Sequence, residues 1–141
     1  MEDATPNQGH YALAHMVEQG HCIGIITQNV DNLHQNSGVP DDLVVELHGN
    51  ASYTKCLSCH TRYELADLAA QFQARGRVEP CSSCGGIVKT ATISFGQSMP
   101  ENEMHRAQEM TEACDLMIVL GSSLTVHPAA GFPEYAKRVG T

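Results

Sequence analysis

The chain has 141 residues, 42% of them apolar, and a net charge of −8 from 16 acidic and 8 basic side chains. That balance favours a folded chain of about one domain over a disordered one. Phosphate backbones need clustered cations and no Lys or Arg block is present, so direct nucleic-acid binding is not expected; nor is a membrane span, because every apolar run is short. An acidic surface suits basic, lysine-bearing protein segments. The acidic start at Met1-Glu2-Asp3 offers no apolar h-region, so no secretory signal is expected.

In chain order, residues 6–19 predict a helix, with Ala12, Leu13, Met16 and Val17 at helical spacing, Pro6 in the first turn and Gly20 at the stop. Residues 22–27 and 43–47 are β-branched runs fit for buried strands. Between them the chain turns polar, and His48-Gly49-Asn50 closes the second run. Residues 51–89 carry four paired cysteines and an amphipathic patch at Leu65, Leu68, Ala69 and Phe72. Residues 90–95 predict a strand ended by Gly96, and residues 100–114 a helix with Glu101 and Glu103 at its positive end. Residues 116–120 predict a third buried strand before Gly121-Ser122-Ser123, and residues 128–138 a last helix. Strand–helix–strand order with short polar turns argues for a parallel α/β sheet, whose ligands bind beyond the carboxyl ends of the strands. The cysteine segment reads as an insertion.

Cys56-x-x-Cys59 and Cys81-x-x-Cys84 are separated by 21 residues. Zinc takes four thiolates in a tetrahedron, and a two-residue gap lets one turn present two sulfurs to one ion. Gly85-Gly86 supplies backbone freedom for the second turn. A catalytic zinc would keep an open position with His or carboxylate ligands, so the site reads as structural; His60 reads as a surface residue. Two cysteine pairs also point to a reducing compartment rather than a disulfide framework. Cys22 and Cys114 sit in apolar stretches and read as core residues.

Thr27-Gln28-Asn29-Val30-Asp31-Asn32-Leu33-His34 follows a strand. Its amides and carboxylate suit either a capped turn or hydrogen bonds to a sugar or carboxamide. His48 ends a strand at the ligand edge, and imidazole alone titrates near neutral pH unaided. Gly121-Ser122-Ser123 is a small-residue turn that lets backbone approach a phosphate.

Together these segments resemble the sirtuin family. The matching pieces are Pro6-Asn7 with His10, Thr27 to Asp31 with Leu33-His34, Gly38, Glu46-Leu47-His48-Gly49, the two cysteine pairs, Phe95-Gly96, and Gly121-Ser122-Ser123-Leu124 with Val126, Pro128, Ala129 and Ala130. The resemblance implies an α/β fold: a partial Rossmann-like parallel sheet (residues 1–50 and 91–141) with an inserted small zinc-ribbon lobe (residues 51–90). It implies an NAD-dependent protein-lysine deacetylase or deacylase that transfers the acyl group to ADP-ribose and releases nicotinamide. His48 would act as general base on a ribose hydroxyl and Asn29 would position ribose or water. Gln28, Asn29, Asp31, His48, Gly121, Ser122 and Ser123 would bind NAD+. Ile93, Phe95 and Gly96 would bind the acylated-lysine protein or peptide by strand addition. Cys56, Cys59, Cys81 and Cys84 would hold one structural Zn2+. Location would be cytoplasmic, or nuclear in a eukaryote. The alternatives are a non-catalytic zinc-bearing binding module and a mono-ADP-ribosyltransferase.

The chain departs from the family pattern in three ways. Ser122 stands where the family usually has Thr, and Gln97 where it often has Glu. No Gly-Ala-Gly-x-Ser phosphate loop precedes Pro6, and the family's last strands do not follow Thr141. The resemblance places the missing first strand in the middle of the sheet, so this stretch alone is expected to bind NAD poorly and turn over little.

Overall fold

The computed structural model describes residues 4–141; the first three residues of the expected 1–50 segment lie outside the described residues. Helix α1, Gln8–Glu18, starts from Asn7, whose Oδ1 accepts the N–H groups of Gly9 and His10. The Asn7 N–H is in turn accepted by His10 Nδ1 at 3.3 Å, so two orphan donors are satisfied reciprocally. Pro6 therefore precedes the cap, two residues before the helix begins.

Strand β1, Ile25–Thr27, pairs in parallel with β2, Val44–Glu46, in the register Ile25↔Val44 to Thr27↔Glu46. The connection holds a short helix α2, Leu33–Asn36, and a 3-10 turn, Asp41–Leu43. Strands β3 (Gly49–Cys56), β4 (Arg62–Glu64) and β5 (Val88–Thr92) form an antiparallel sheet in the order β4-β3-β5. This sheet carries the cysteine lobe and reaches past residues 51 and 90 to Gly49 and Thr92. Helix α3, Leu65–Arg75, follows β4 and buries Leu68 of the amphipathic patch, with Leu65 half-buried and Ala69 and Phe72 exposed. Its C-terminus ends at Gly76 in a left-handed conformation.

Helices α4 (Glu101–Ala113) and α5 (Phe132–Val139) pack on each other and on the parallel pair. The core is Val45, Leu47, Ala107, Ala129 and Phe132, with Ile26 and Met117 packed against it. The expected helix over residues 128–138 is a 3-10 turn at Ala129–Gly131 followed by α5.

Two strand expectations are corrected. Residues 90–95 do not join the parallel sheet: Thr90 to Thr92 belong to β5, antiparallel to β3. Residues 116–120 are not in a ladder, and Leu116, Ile118 and Leu120 are 70%, 60% and 64% exposed. A strand needs a neighbour to take its backbone hydrogen bonds. Among the described residues β1 pairs with β2 alone, and residues 116–120 have no such neighbour. Among the described residues no helix is long and apolar enough to cross a membrane.

Gly49 joins the two sheets and explains the glycine after His48. Its φ is +73°, and a Cβ there would lie 2.0 Å from the Ala91 carbonyl oxygen. Both the left-handed backbone and the close approach demand glycine. Gly49→Ala is expected to destabilise the fold by on the order of 3 kcal/mol, read as a lower urea midpoint of the zinc-loaded chain. An unchanged midpoint would contradict this account of the junction.

Candidate functional site

The parallel register levels the carboxyl ends of β1 and β2, which delivers Gln28-Asn29 and Leu47-His48 to one edge. The Leu47 N–H donates to the Thr27 carbonyl at 3.0 Å, carrying the pairing one residue further. His48 Nδ1 then lies 3.0 Å from the Gln28 carbonyl oxygen. A carbonyl only accepts, so Nδ1 carries the proton and Nε2 is left with a lone pair. That is the tautomer a general base requires. The imidazole is thus oriented by the backbone of the very turn whose side chains are the other candidates.

Within that turn the Asn29 N–H donates to Thr27 Oγ1 at 3.0 Å, and Asp31 Oδ1 accepts the Leu33 N–H at 3.1 Å. Asp31 therefore performs the local turn-forming role that its residue type allows. One carboxylate oxygen used this way leaves the group further acceptor capacity. The Val30 carbonyl accepts the Ala51 N–H at 2.8 Å, tying the turn to β3.

The small-residue loop meets the same edge. Gln28 Nε2 donates to Ser122 Oγ at 3.4 Å, and Ser122 Oγ accepts the Leu124 N–H. Gly121 has φ +63°, and Ser123 bonds Thr125 at 2.9 Å. The Ile93 N–H donates to the His48 carbonyl at 2.8 Å, so the segment after β5 starts beside the imidazole. Phe95 is fully exposed, next to Gly96 at φ +82°. His48, Gln28, Ser122 and Ile93 are thus joined by direct contacts.

The four cysteines converge, with all Sγ atoms within 4.8 Å of one another. Cys56–Cys84 and Cys59–Cys81 are each 3.5 Å apart. A tetrahedron of zinc–sulfur bonds near 2.3 Å sets sulfurs about 3.8 Å apart, so the donor set and its spacing fit zinc. Donors surround the sulfurs: the Ser58 N–H to Cys56 at 3.4 Å, Thr61 Oγ1 to Cys59 at 3.1 Å, and Tyr63 Oη to Cys81 at 3.0 Å. The Tyr63 hydroxyl, donating to Sγ, holds the Cys81 thiol down at about 5. Gly86 is required for space: a Cβ there would sit 2.9 Å from Cys56 Sγ and 2.7 Å from Ser58 Oγ. His60 is an exposed residue at φ +60° whose N–H donates to the Cys56 carbonyl, a turn position rather than one of the clustered ligands.

Sequence reasoning missed a polar cluster behind β2. Gln35 Nε2 and Asn50 Nδ2 both donate to Glu46 Oε1 at 2.7 Å, and Asn50 Nδ2 also reaches Asn32 Oδ1. Burial pushes the Glu46 carboxyl above its usual range; the amides oppose this, and the charges of Glu103 and Asp41 add to it. A folded-state pKa raised above the unfolded value gives stability that is full at low pH and lost as pH rises through the folded pKa. Glu46→Gln is therefore expected to stabilise the fold slightly at pH 7, by less than about 1 kcal/mol because the group is half exposed, and to flatten the stability profile across the carboxylate range. Urea unfolding at pH 4 and pH 7 checks this; a variant less stable at pH 7 than the parent would oppose it. Glu46, Asn50, Tyr53, Arg62, Glu103 and Arg106 line a cleft of about 690 Å³ between the lobe and α4. His48, Asn29 and Asp31 do not line it, so this cleft is separate from the sheet edge that carries the imidazole. The alternation of Thr61 and Tyr63 after Cys59 was the sequence signal for the hydroxyls on the thiols.

His34 packs its ring 5.0 Å from that of His10, with Nδ1 buried and unpartnered. Burial, then the His10 charge, lowers its pKa, with Asp31 opposing, which favours the neutral imidazole at the α1–α2 contact.

A profile of the Sir2 family matches residues 1–128. An NAD-dependent protein deacetylase of Rhodopseudomonas palustris is 52% identical over 137 residues, covering 97% of this chain and 54% of the relative. An NAD-dependent protein deacylase 2 of Archaeoglobus fulgidus is 39% identical over 138 residues, covering 97% of this chain and 53% of the relative. The chain therefore spans about half the length of the curated relatives it matches. A solved structure of Sir2 with a p53 peptide and NAD+ is 36% identical and superposes with a TM-score of 0.87 over 97% of this chain and 56% of that one. A structure of Sir2Tm bound to a propionylated peptide gives the same TM-score of 0.87, at 36% identity over 97% of this chain and 56% of that one. The parallel pair is thus part of a Rossmann-like α/β fold with an inserted cysteine lobe, and the chain belongs to the Sir2 family.

Proposed function

We propose that this chain is the His48-bearing and zinc-bearing part of an NAD-dependent protein-lysine deacylase that acts on acylated-lysine proteins or peptides in the cytoplasm. The observation that carries the reading is the contact between His48 Nδ1 and the Gln28 carbonyl, which leaves Nε2 free at the sheet edge where α/β folds bind ligands. It is supported by relatives named NAD-dependent protein deacetylases and by neighbours solved with acylated peptides and NAD+.

NAD+ would supply an electrophilic ribose carbon and nicotinamide as the leaving group. In this reading His48 Nε2 takes a proton from a ribose hydroxyl, and Asn29 orients the ribose or water. Asp31 accepts from the nicotinamide carboxamide, and Gln28 meets the adjoining ribose. Gly121, Ser122 and Ser123 bring small side chains and backbone against the dinucleotide. Ile93, Phe95 and Gly96 offer backbone to the peptide, which tolerates varied side chains. Residues 1–50 and 91–141 form the dinucleotide-binding part, and residues 51–90 form a lobe whose Cys56, Cys59, Cys81 and Cys84 hold structural zinc.

The test incubates the whole polypeptide with an acetyl-lysine peptide and NAD+ labelled in its adenosine half. Nicotinamide release that depends on the peptide, with label appearing in O-acetyl-ADP-ribose, is expected. Label transferred covalently to protein, or release indifferent to the acetyl group, would defeat the deacylase reading.

A further inference from the structure

Lys89 lies on β5, outside every motif that pointed to chemistry, yet its ammonium reaches over the segment that follows. Nζ donates to the Thr92 carbonyl at 2.6 Å, to Ser94 Oγ at 3.1 Å and to Gln97 Oε1 at 3.3 Å. An ammonium has three N–H bonds, and here each has an acceptor. Gln97 Oε1 also accepts the Ser94 N–H at 3.2 Å, and the Gln97 N–H donates to the Ser94 carbonyl at 2.9 Å. The β3–β5 register ends at Gly49↔Thr92. Beyond it, Ile93 bonds His48, and the next anchor is the cluster around Lys89 and Gln97. Phe95 is held between these two anchors with its side chain in solvent.

We propose that Lys89 is a positioning residue for peptide docking: its ammonium pins the end of β5 and the Ser94–Gln97 turn in the shape that presents Ile93 to Gly96 to an acyl-lysine peptide. The inference rests on reading that segment as the peptide-binding one. A cationic donor suits the task, because charge-assisted bonds are roughly twice as strong as neutral ones. Gln97 sets how firm the grip is. A neutral amide accepts one bond from Nζ, whereas a carboxylate at 97 would add an ion pair.

The test compares the zinc-loaded protein with Lys89→Met and Gln97→Glu, reading amide exchange residue by residue and the affinity for a fluorescent acetyl-lysine peptide. Lys89→Met is expected to speed exchange at Ser94 and Gln97 and to weaken peptide binding, each by about tenfold, while β3 amides and zinc content stay unchanged. Gln97→Glu, at an exposed position that threatens no packing, is expected to slow that exchange and tighten the peptide. Exchange at parental rates in Lys89→Met, or faster exchange in Gln97→Glu, overturns the inference itself. Exchange that rises while peptide affinity stays put, or affinity absent from the parent protein, overturns instead the docking reading on which it rests.

Discussion

Cys56→Ser is expected to abolish stoichiometric zinc and to unfold the lobe between Gly49 and Thr92. Cys56 and Cys81 are buried, and apart from them the lobe's fully buried apolar side chains are Leu68 and Ala91. So small a core stabilises little, whereas a four-thiolate zinc site contributes on the order of 10 kcal/mol of coupled binding and folding free energy. A serine at 56 removes the sulfur that lies 3.5 Å from Cys84 and leaves three thiolates with no fourth ligand. The measurement is zinc released on denaturation, together with amide exchange across β3, β4 and β5. A chelator acting on the parent protein should give the same exchange pattern. A variant that keeps one ion per chain and parental protection would refute the structural role of the metal.

His48→Ala in the whole polypeptide is expected to lower peptide-dependent nicotinamide release by about a hundredfold to ten-thousandfold, the usual contribution of a positioned general base. Among the described residues the imidazole makes one hydrogen bond, from Nδ1 to the Gln28 carbonyl, and it bonds to none of the four clustered cysteines. Zinc content and the unfolding midpoint should therefore stay near the parental values. That split between chemistry and folding separates the enzyme reading from that of a zinc-bearing binding module. A variant that releases nicotinamide at the parental rate would remove the imidazole from the mechanism.

What the sequence made legible was local. The cysteine pairs announce their geometry because a two-residue gap admits few turns, and the four sulfurs do converge. Helix α1 was legible from Pro6 and the spacing of Ala12, Leu13, Met16 and Val17, although its true start is set by the Asn7–His10 cap. Residues 116–120 were misread because an apolar β-branched run carries no information about whether a neighbour is there to pair with it. Residues 90–95 were assigned to the wrong sheet for a related reason: propensity does not specify a partner, and β3 captured Thr90 to Thr92. The Glu46–Gln35–Asn50 cluster was invisible because it joins residues 4 to 15 positions apart through a parallel crossover. The contacts of His48 with Gln28, and of Gln28 with Ser122, span separations of 20 and 94 residues. No spacing rule reports such distances; the sirtuin resemblance grouped these residues only as an expected cofactor site.

Strand β3 leaves the His48-Gly49 junction, passes a shift in its β5 register between Asn50 and Thr54, and ends on Cys56. At about 3.3 Å per residue, the seven steps from Gly49 to Cys56 span at most roughly 23 Å between the residue after the imidazole and a clustered thiol. The Ile93–His48 bond crosses the root of that strand, so the sheet of the cysteine lobe and the edge that carries the imidazole meet through backbone alone, at Gly49 and Ile93.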